Sequence, residues 1–497
     1  MKNLDFVGFE VSGSKVVKRM GVGLALFFLI QCKNILTFPV YTRVLGKEGY
    51  GYLSLIMVTA GILFPLVKLV LSYGFRVDSV HLTDRIEIRR NFTTTLIPAL
   101  FFSVINLGLF TLVDLSVIDP GLNRYKGLIC ILVFAMILKE YSQTLPETFQ
   151  KARILATFTS VVEGTAAAAA IISVLIWENV AGVVIPLAAA YAIGGLVLLA
   201  LVFRDIGFEW YVNPKQVKRY LRIGLPLIPV GFFLWVMQSL DQYFIAYYAN
   251  TARVGIYAAG YGLAGFMLFI NPALDFAFGA TLVKLWNEKR YEEFYAYNDR
   301  ALKWVILIIA VICGLGTILA VPGVRIIASE TFIESATVLP ILLASMGCFL
   351  LACVFQRLLY AGQKTMAVLI IYLLAALINL GLNMALIPKL QLMGAAYATL
   401  ISYAFAMISL GLVSAIKYRY PFYRNRHLYM PLLVVGLYVG LASRYIGGVL
   451  LTDLAIAAGC VLVLAAAMGI TGFVHPDERL LARQALAGLS QRIGGAR

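Results

Sequence analysis

The chain has 497 residues, 61% of them hydrophobic and 13% charged, with a mean hydropathy of +0.88. A soluble surface needs roughly twice that charged fraction, which excludes a water-soluble globular protein. The net charge of +16 would suit a nucleic-acid binder, but its distribution along the chain matches a membrane topology instead.

Fourteen apolar runs follow one another at 20–42, 51–76, 91–113, 127–149, 154–177, 180–203, 218–248, 255–285, 301–322, 335–360, 365–387, 392–416, 428–447 and 449–474. Each is about as long as a bilayer-spanning helix requires. The expected fold is an all-α polytopic membrane protein with about 14 transmembrane helices. An even count puts both termini on one side. With the N-terminus inside, 30 of the 41 Lys and Arg residues fall in inner segments and 8 in outer ones, while Lys33, Lys68 and Lys139 lie within spans. That bias alternates loop by loop and predicts an N-in, C-in arrangement. It also accounts for the basic character without nucleic acid as a partner. The six cysteines sit in apolar runs, with no CxxC pair and no neighbouring histidine. Free thiols are expected, with no metal and no cofactor. Nineteen fairly polar residues precede the first run, so no cleavable leader is expected.

The chain divides into a cytoplasmic segment 1–19, two six-helix bundles at 20–210 and 211–420, accessory helices at 421–475, and a basic amphipathic tail at 476–497. The tail is expected either to lie on the inner membrane surface or to pack as a terminal helix. A weak internal repeat relates the bundles. VLGKEGYGYLSL (44–55) aligns with YANTARVGIYAA (248–259), which places Gly51 on Gly255. Internal repeats of this kind mark secondary transporters, whose sites lie between pseudo-symmetric halves.

Charge inside a span is costly, at least ~2.5–3.5 kcal/mol per residue on insertion scales, and points to a wet cavity or a partner. Lys33 sits mid-span beside Gln31, Asn34 and Thr37. Lys68, Ser72 and Arg76, spaced i, i+4, i+8, are expected on one face of the second span. The fourth span carries Lys139, Glu140, Gln143 and Glu147, and the fifth Glu163. Two arrangements are open for Lys139: a cationic cleft, or a structural ion pair with one of these acids. The second half inverts the sign, with Asp241 in the seventh span and Asn271, Pro272 and Asp275 interrupting the eighth. Asp275 is either a site for a cation or sugar hydroxyl or a buried hydrogen-bonded acid. Lys33, Lys68, Arg76 and Lys139 are thus the candidates for an anionic headgroup. Asn271, Asp275 and Tyr261 are those for glycan hydroxyls, and Glu140, Glu163, Asp241 and Asp275 those for ion coupling.

The segment Leu36–Gly74 resembles the opening of the Wzx-type polysaccharide flippases, a branch of the multidrug/oligosaccharidyl-lipid/polysaccharide exporter superfamily. The likeness continues through SLDQYFIAYY, VGIYAAGY and QRLLYAGQK. It ends in NLGLNMALIPKLQLMGAAYAT, where Asn379, Asn383, Pro388, Gly394, Ala395, Ala396 and Thr399 match the family pattern over residues 16–475 overall. The resemblance implies a flippase that carries an undecaprenyl-pyrophosphate-linked oligosaccharide across the bacterial cytoplasmic membrane by alternating access. Its partners would be that lipid-linked substrate and the phospholipid membrane. A proton or sodium gradient and polysaccharide polymerase or glycosyltransferase machinery are candidate further partners. A multidrug or cation exporter and a lipid II flippase of the same superfamily are the alternatives. A polytopic glycan polymerase or ligase ranks below them, because the expected external loops are short and the three histidines fall on the cytoplasmic side. The expected protein is not an enzyme.

Overall fold

The computed structural model describes residues 13–225, 228–274, 278, 280–418, 420, 429–470 and 473. In chain order its helices are α1 (Gly13–Val67), α2 (Leu71–Ser79), α3 (Arg85–Phe110), α4 (Lys126–Thr148), α5 (Ala152–Trp177), α6 (Ala181–Ile206) and the short α7 (Pro214–Gly224). There follow α8 (Ile228–Tyr248), α9 (Thr251–Gly265), α10 (Ile270–Leu274), α11 (Ala280–Asn287), α12 (Tyr291–Ile318) and α13 (Ala320–Ile327). The last four are α14 (Ser335–Ala361), α15 (Thr365–Tyr418), α16 (Met430–Ala442) and α17 (Leu450–Ile470). No strand occurs among the described residues, and ten helices there are long and apolar enough to cross a membrane. The protein is an all-α polytopic membrane protein.

α1 and α15, at 55 and 54 residues, would each reach ~80 Å if straight, against a hydrocarbon core of ~30 Å. Each reverses instead, at Gly46 (φ 64°, ψ −172°) and at Gln391 (φ 49°, ψ −122°). The Phe38 and Tyr50 rings consequently meet at 5.8 Å, and the Asn379 amide donates to the Ser402 hydroxyl at 3.2 Å. Both are therefore hairpins of two spans. With them, each of the fourteen apolar runs overlaps, over its described residues, a helix, a broken helix or a hairpin arm.

α1, α4, α5 and α6 pack together with α2 and α3 on one side of the molecule, and α8, α9, α12, α14 and α15 on the other. α16 and α17 pack on α12 through a separate apolar cluster that includes Ile318, Val435 and Leu464. The two lobes meet at the Gly46 end, where the aligned glycines of the repeat touch. A Cβ on Gly51 would lie 2.0 Å from the Thr251 carbonyl oxygen, and one on Gly255 would lie 1.9 Å from the Lys47 carbonyl oxygen. The two contacts are the same contact under the 204-residue offset of the repeat. In lipid, helices associate through such close backbone approach at small residues rather than through apolar burial. From there the second arm of α1 runs along α8. Ser54 donates to Gln242 at 2.6 Å, the Thr59 and Tyr243 hydroxyls lie 2.7 Å apart, and the Trp235 indole donates to the Val58 carbonyl at 3.2 Å.

Three expected spans are not continuous helices. The second breaks between Val67 and Leu71, where Leu69 and Val70 adopt positive φ of 60° and 49°. Backbone freed inside a membrane must find partners. The Tyr141 hydroxyl donates to the Lys68 carbonyl at 2.6 Å and the Ser103 hydroxyl to the Val67 carbonyl at 3.5 Å. The start of the seventh expected span is the separate, strongly amphipathic α7, capped by Asn213 with Pro214 in its first turn. The eighth is divided among α9, a 3-10 turn at Phe266–Phe269, α10 and α11. The expected tail 476–497 lies outside the described residues.

Candidate substrate site

Burying a charge demands a partner, and each intramembrane lysine has one. Glu163 of α5 serves two. Its Oε2 accepts from Lys33 Nζ of α1 at 2.6 Å, and its Oε1 accepts from Lys139 Nζ of α4. The Tyr191 hydroxyl of α6 donates to the same carboxylate at 3.1 Å, and its ring lies 4.2 Å from the Lys139 ammonium. Four helices thus converge on one carboxylate, with side-chain exposures of 18% for Lys33, 16% for Lys139 and 10% for Glu163. Formally this cluster carries one surplus positive charge.

Lys68 sits at the helix break, where Nζ reaches both oxygens of Glu140 at 2.7 Å and lies 4.5 Å from the Phe64 ring. Ser72 donates to Glu140 at 3.3 Å, and Arg76 pairs with Glu147 about two turns further along α4. Lys68, Ser72 and Arg76 do face one neighbour, α4. They do so across two helix segments rather than as a ladder on one continuous helix, so the ~12 Å rise of a straight helix over that stretch does not apply. Counted over both groups, Lys33, Lys68, Arg76 and Lys139 face Glu140, Glu147 and Glu163, four bases against three acids.

Beside the Glu163 cluster a cavity of about 500 Å³ opens between the lobes. Lys33, Asn34, Thr37, Tyr41, Tyr50 and Ser54 line it from α1, Tyr191 from α6, and Tyr261 from α9, with Phe38, Phe266 and Phe269 completing the wall. Lys33 is the one member of the cationic set on this wall. A larger groove of about 990 Å³ lies on the outer face of α5 and α6. Apart from Arg153, Thr157 and Thr165 its lining is apolar, a surface that acyl chains cover in a bilayer.

In the second lobe Tyr261 combines its place on the cavity wall with a 3.3 Å contact to the Tyr403 hydroxyl. Asn271 instead accepts from Arg357 at 2.5 Å and is absent from the wall. Asp275 lies outside the described residues. Asp241 is buried with no cationic partner among the described residues; the Tyr257 hydroxyl donates to it at 2.5 Å, Thr399 at 3.4 Å and the Gln242 backbone N–H at 2.9 Å. Thr399 leads on to Ser402, Asn379 and Asn383 in one hydrogen-bonded chain, at whose end the Asn383 side-chain oxygen Oδ1 is buried without a partner among the described residues. This chain joins three residues of the N…N…GAA.AT pattern to the acid of SLDQY. Sequence reasoning missed that connection, and it missed Tyr191 as well. A buried acid and two buried amides on apolar runs are the signal that could have found the chain. Tyr191 had a weaker signal of its own, a tyrosine in the middle of α6 whose hydroxyl must find a partner when buried.

A family model described as "Polysaccharide biosynthesis protein" matches residues 17–274. No curated protein sequence matches the chain. Among solved structures the chain is similar to the lipid II flippase MurJ in an inward closed conformation, at 15% identity and a TM-score of 0.64, covering 90% of this chain and 98% of that one. It is also similar to two structures of multidrug resistance MATE family transporters of the MOP superfamily. The inward-facing form aligns at 14% identity and a TM-score of 0.58, over 79% of this chain and 99% of that one. The outward-facing form aligns at 15% identity and a TM-score of 0.54, over 82% and 96%. At these identities the likeness is one of fold.

Proposed function

Because the chain belongs to the polysaccharide biosynthesis protein family, we propose that it is a flippase for a lipid-linked, anionic oligosaccharide of the undecaprenyl-pyrophosphate type. It works in the bacterial cytoplasmic membrane with both termini inside, and its two lobes rock about the cavity between them. The observation that carries this reading is Lys33, which lines the interlobe cavity and shares Glu163 with Lys139. Two ammoniums on one carboxylate leave a positive charge beside a wet wall, which an anionic headgroup neutralises. A multidrug cation exporter needs the opposite surplus. Tyr261 and the aromatic wall offer faces and hydroxyls to sugar rings, while the lipid tail stays in the bilayer. The fold itself is found in inward-facing and outward-facing forms, as alternating access requires. Among the described residues Asp241, buried with no cationic partner there, is the candidate carboxylate for a proton or sodium ion; Glu140 and Glu163 already hold lysines.

Deleting the gene is expected to trap lipid-linked saccharide on the inner leaflet and to abolish the surface polysaccharide. Lys33→Ala is expected to lower glycan export by ~10-fold or more, the scale of one lost charge-assisted contact, and Lys33→Arg to retain most of it. Unchanged surface polysaccharide after deletion, or full export by Lys33→Ala at normal protein levels, would count against the proposal.

A further inference from the structure

A second polar cavity, of about 470 Å³, lies at the Gly46 end of the first lobe. It forms where the turn of α1 meets the 3-10 segment Pro120–Tyr125 and the connection between α5 and α6. Glu48, Arg124 and Glu178 face it, together with Asn179 and with Tyr52 and Tyr125, whose ring centroids lie 5.2 Å apart. None of the three charged side chains has a hydrogen bond or ion pair among the described residues. Elsewhere at this end Arg253 pairs with Glu334 and Arg325 with Glu330, whereas these three charges share one hollow and leave one another unbridged. Acids and a base that share one hollow yet stay unpaired leave their hydrogen-bonding capacity to a guest.

The chemistry of the wall selects the guest. Carboxylates accept from hydroxyl groups, the guanidinium donates to ring and hydroxyl oxygens, and tyrosine faces cover C–H surface. A pyranose ring offers all three. The volume falls in the range of small-ligand sites. A metal ion fits less well, since the described residues include no group of three or more His, Cys, Asp or Glu side chains able to hold one.

The cavity is wired to the lobe contact through one side chain. The Tyr52 hydroxyl donates to Asp119 Oδ1 at 3.0 Å, and Asp119 Oδ2 accepts from Thr251 of the second lobe at 2.5 Å. Thr251 is the residue whose carbonyl meets Gly51. Gly121 makes room for this arrangement, because a Cβ there would lie 2.0 Å from the Tyr52 hydroxyl.

We propose that this cavity is a saccharide-binding site separate from the interlobe chamber, and that a sugar ring seated in it acts through Tyr52 and Asp119 on the contact between the lobes. Its placement on the outer face, where exported glycan would meet it, rests on the transport reading above; the binding itself does not.

The test uses the full-length protein in lipid nanodiscs, titrated with methyl α-glucoside, methyl β-galactoside and N-acetylglucosamine and followed by saturation-transfer NMR. At least one glycoside is expected to bind in the millimolar range usual for weak small-ligand contacts. Glu178→Gln and Arg124→Ala, both at exposed positions, are each expected to weaken it about tenfold, one hydrogen bond to a charged group, with the thermal midpoint unchanged. Tyr52→Phe keeps the ring and is expected to retain binding. It should abolish the effect of the sugar on lobe opening, read as alkylation of Ser54→Cys in a cysteine-free background. No glycoside binding, or binding undiminished in the Glu178→Gln/Arg124→Ala double variant, would overturn the site. A sugar effect on alkylation that survives Tyr52→Phe would overturn the coupling. Calcium chloride is the control probe, and binding of calcium alone would likewise overturn the saccharide assignment. Binding is measured here without transport, so a protein that binds sugar yet fails to restore surface polysaccharide separates failure of the transport reading from failure of this one.

Discussion

Glu163 holds two ammoniums at once, and that stoichiometry makes separable predictions. Removing the shared acid strands both lysines, and an uncompensated buried charge costs about 3–5 kcal/mol. Glu163→Gln is therefore expected to lower the thermal midpoint sharply. Lys139→Met has the opposite profile. It leaves a neutral one-to-one pair between Lys33 and Glu163, so stability should be nearly kept while the surplus charge, and with it export of an anionic glycan, is lost. Thermal unfolding and surface-polysaccharide complementation measured on both variants check this, and loss of stability without loss of export in Lys139→Met would refute the role of the surplus. Outside the membrane, Glu209 behaves as an ordinary paired surface acid. Partial desolvation pushes its carboxyl up, but the hydrogen bonds and charges of Arg89 and Arg90 outweigh it and hold the pKa below the usual glutamate value. The tie between α3 and the linker 207–213 is then complete above the ordinary carboxylate pKa and is lost as pH falls through the lowered one. Amide exchange across 207–213 is expected to accelerate only in that acid range, and Glu209→Gln to remove the pH step. The charged residues of the site were legible from the sequence, because a lysine in an apolar run is conspicuous whatever it touches. Their pairing was not. Which acid meets which lysine depends on the rotation of α4 and α5 about their axes, and no single span records that.

At the level of the helix, apolar run length identified nearly every element and Asn271 and Pro272 marked the interruption of the eighth run, but the break in the second run escaped the sequence. Leu69 and Val70 are apolar and sit in the middle of a run, yet they carry the left-handed turn that ends α1. The turn exists because Lys68 reaches Glu140 and because Tyr141 and Ser103 take the freed carbonyls, all contacts from other helices. Tyr141→Phe removes one of those hydrogen bonds from a buried carbonyl, which should destabilise by about 1–3 kcal/mol and is measured as a lower thermal midpoint. The hairpin of α15 offers the converse. Gln391 is exposed at φ 49° and ψ −122°, a conformation that strains any side chain, while the reversal within α1 has glycine at position 46. Gln391→Gly is expected to raise stability by about 1 kcal/mol through relief of that strain, and Gln391→Val to lower it. Equal midpoints for the two variants would contradict the strained turn.

Across the whole molecule, the faint repeat of twelve residues has a definite physical meaning. Glycine recurs at 51 and 255 because the two inward-running helices cross there with backbone on backbone, each glycine against the carbonyl four residues before the other. The alignment could place the two glycines on each other but could not show that they touch, since a repeat states equivalence and not contact. Asp119 was invisible for a related reason. It reads as an ordinary loop acid before proline, and only the folded chain shows it accepting from Tyr52 and Thr251 on opposite sides of the lobe boundary. If the Gly46 end is the gate that must part when the lobes rock, a side chain at either glycine pries it open from within. Valine at position 255 would put its Cβ inside the Lys47 carbonyl and force the helices apart. Gly255→Val is thus expected to insert normally in the membrane and to favour the form in which the lobes are separated at that end. Shifting a two-state equilibrium by 1–2 kcal/mol changes the open population about 5- to 30-fold. Alkylation of Ser54→Cys, whose native hydroxyl is held by Gln242 across the boundary, should accelerate by a similar factor, and glycan export should fall because the closed form is no longer reached. Gly51→Val is expected to reproduce both effects, since the two positions make the same contact. A large effect at one glycine with none at the other would show that the lobes part along some other seam.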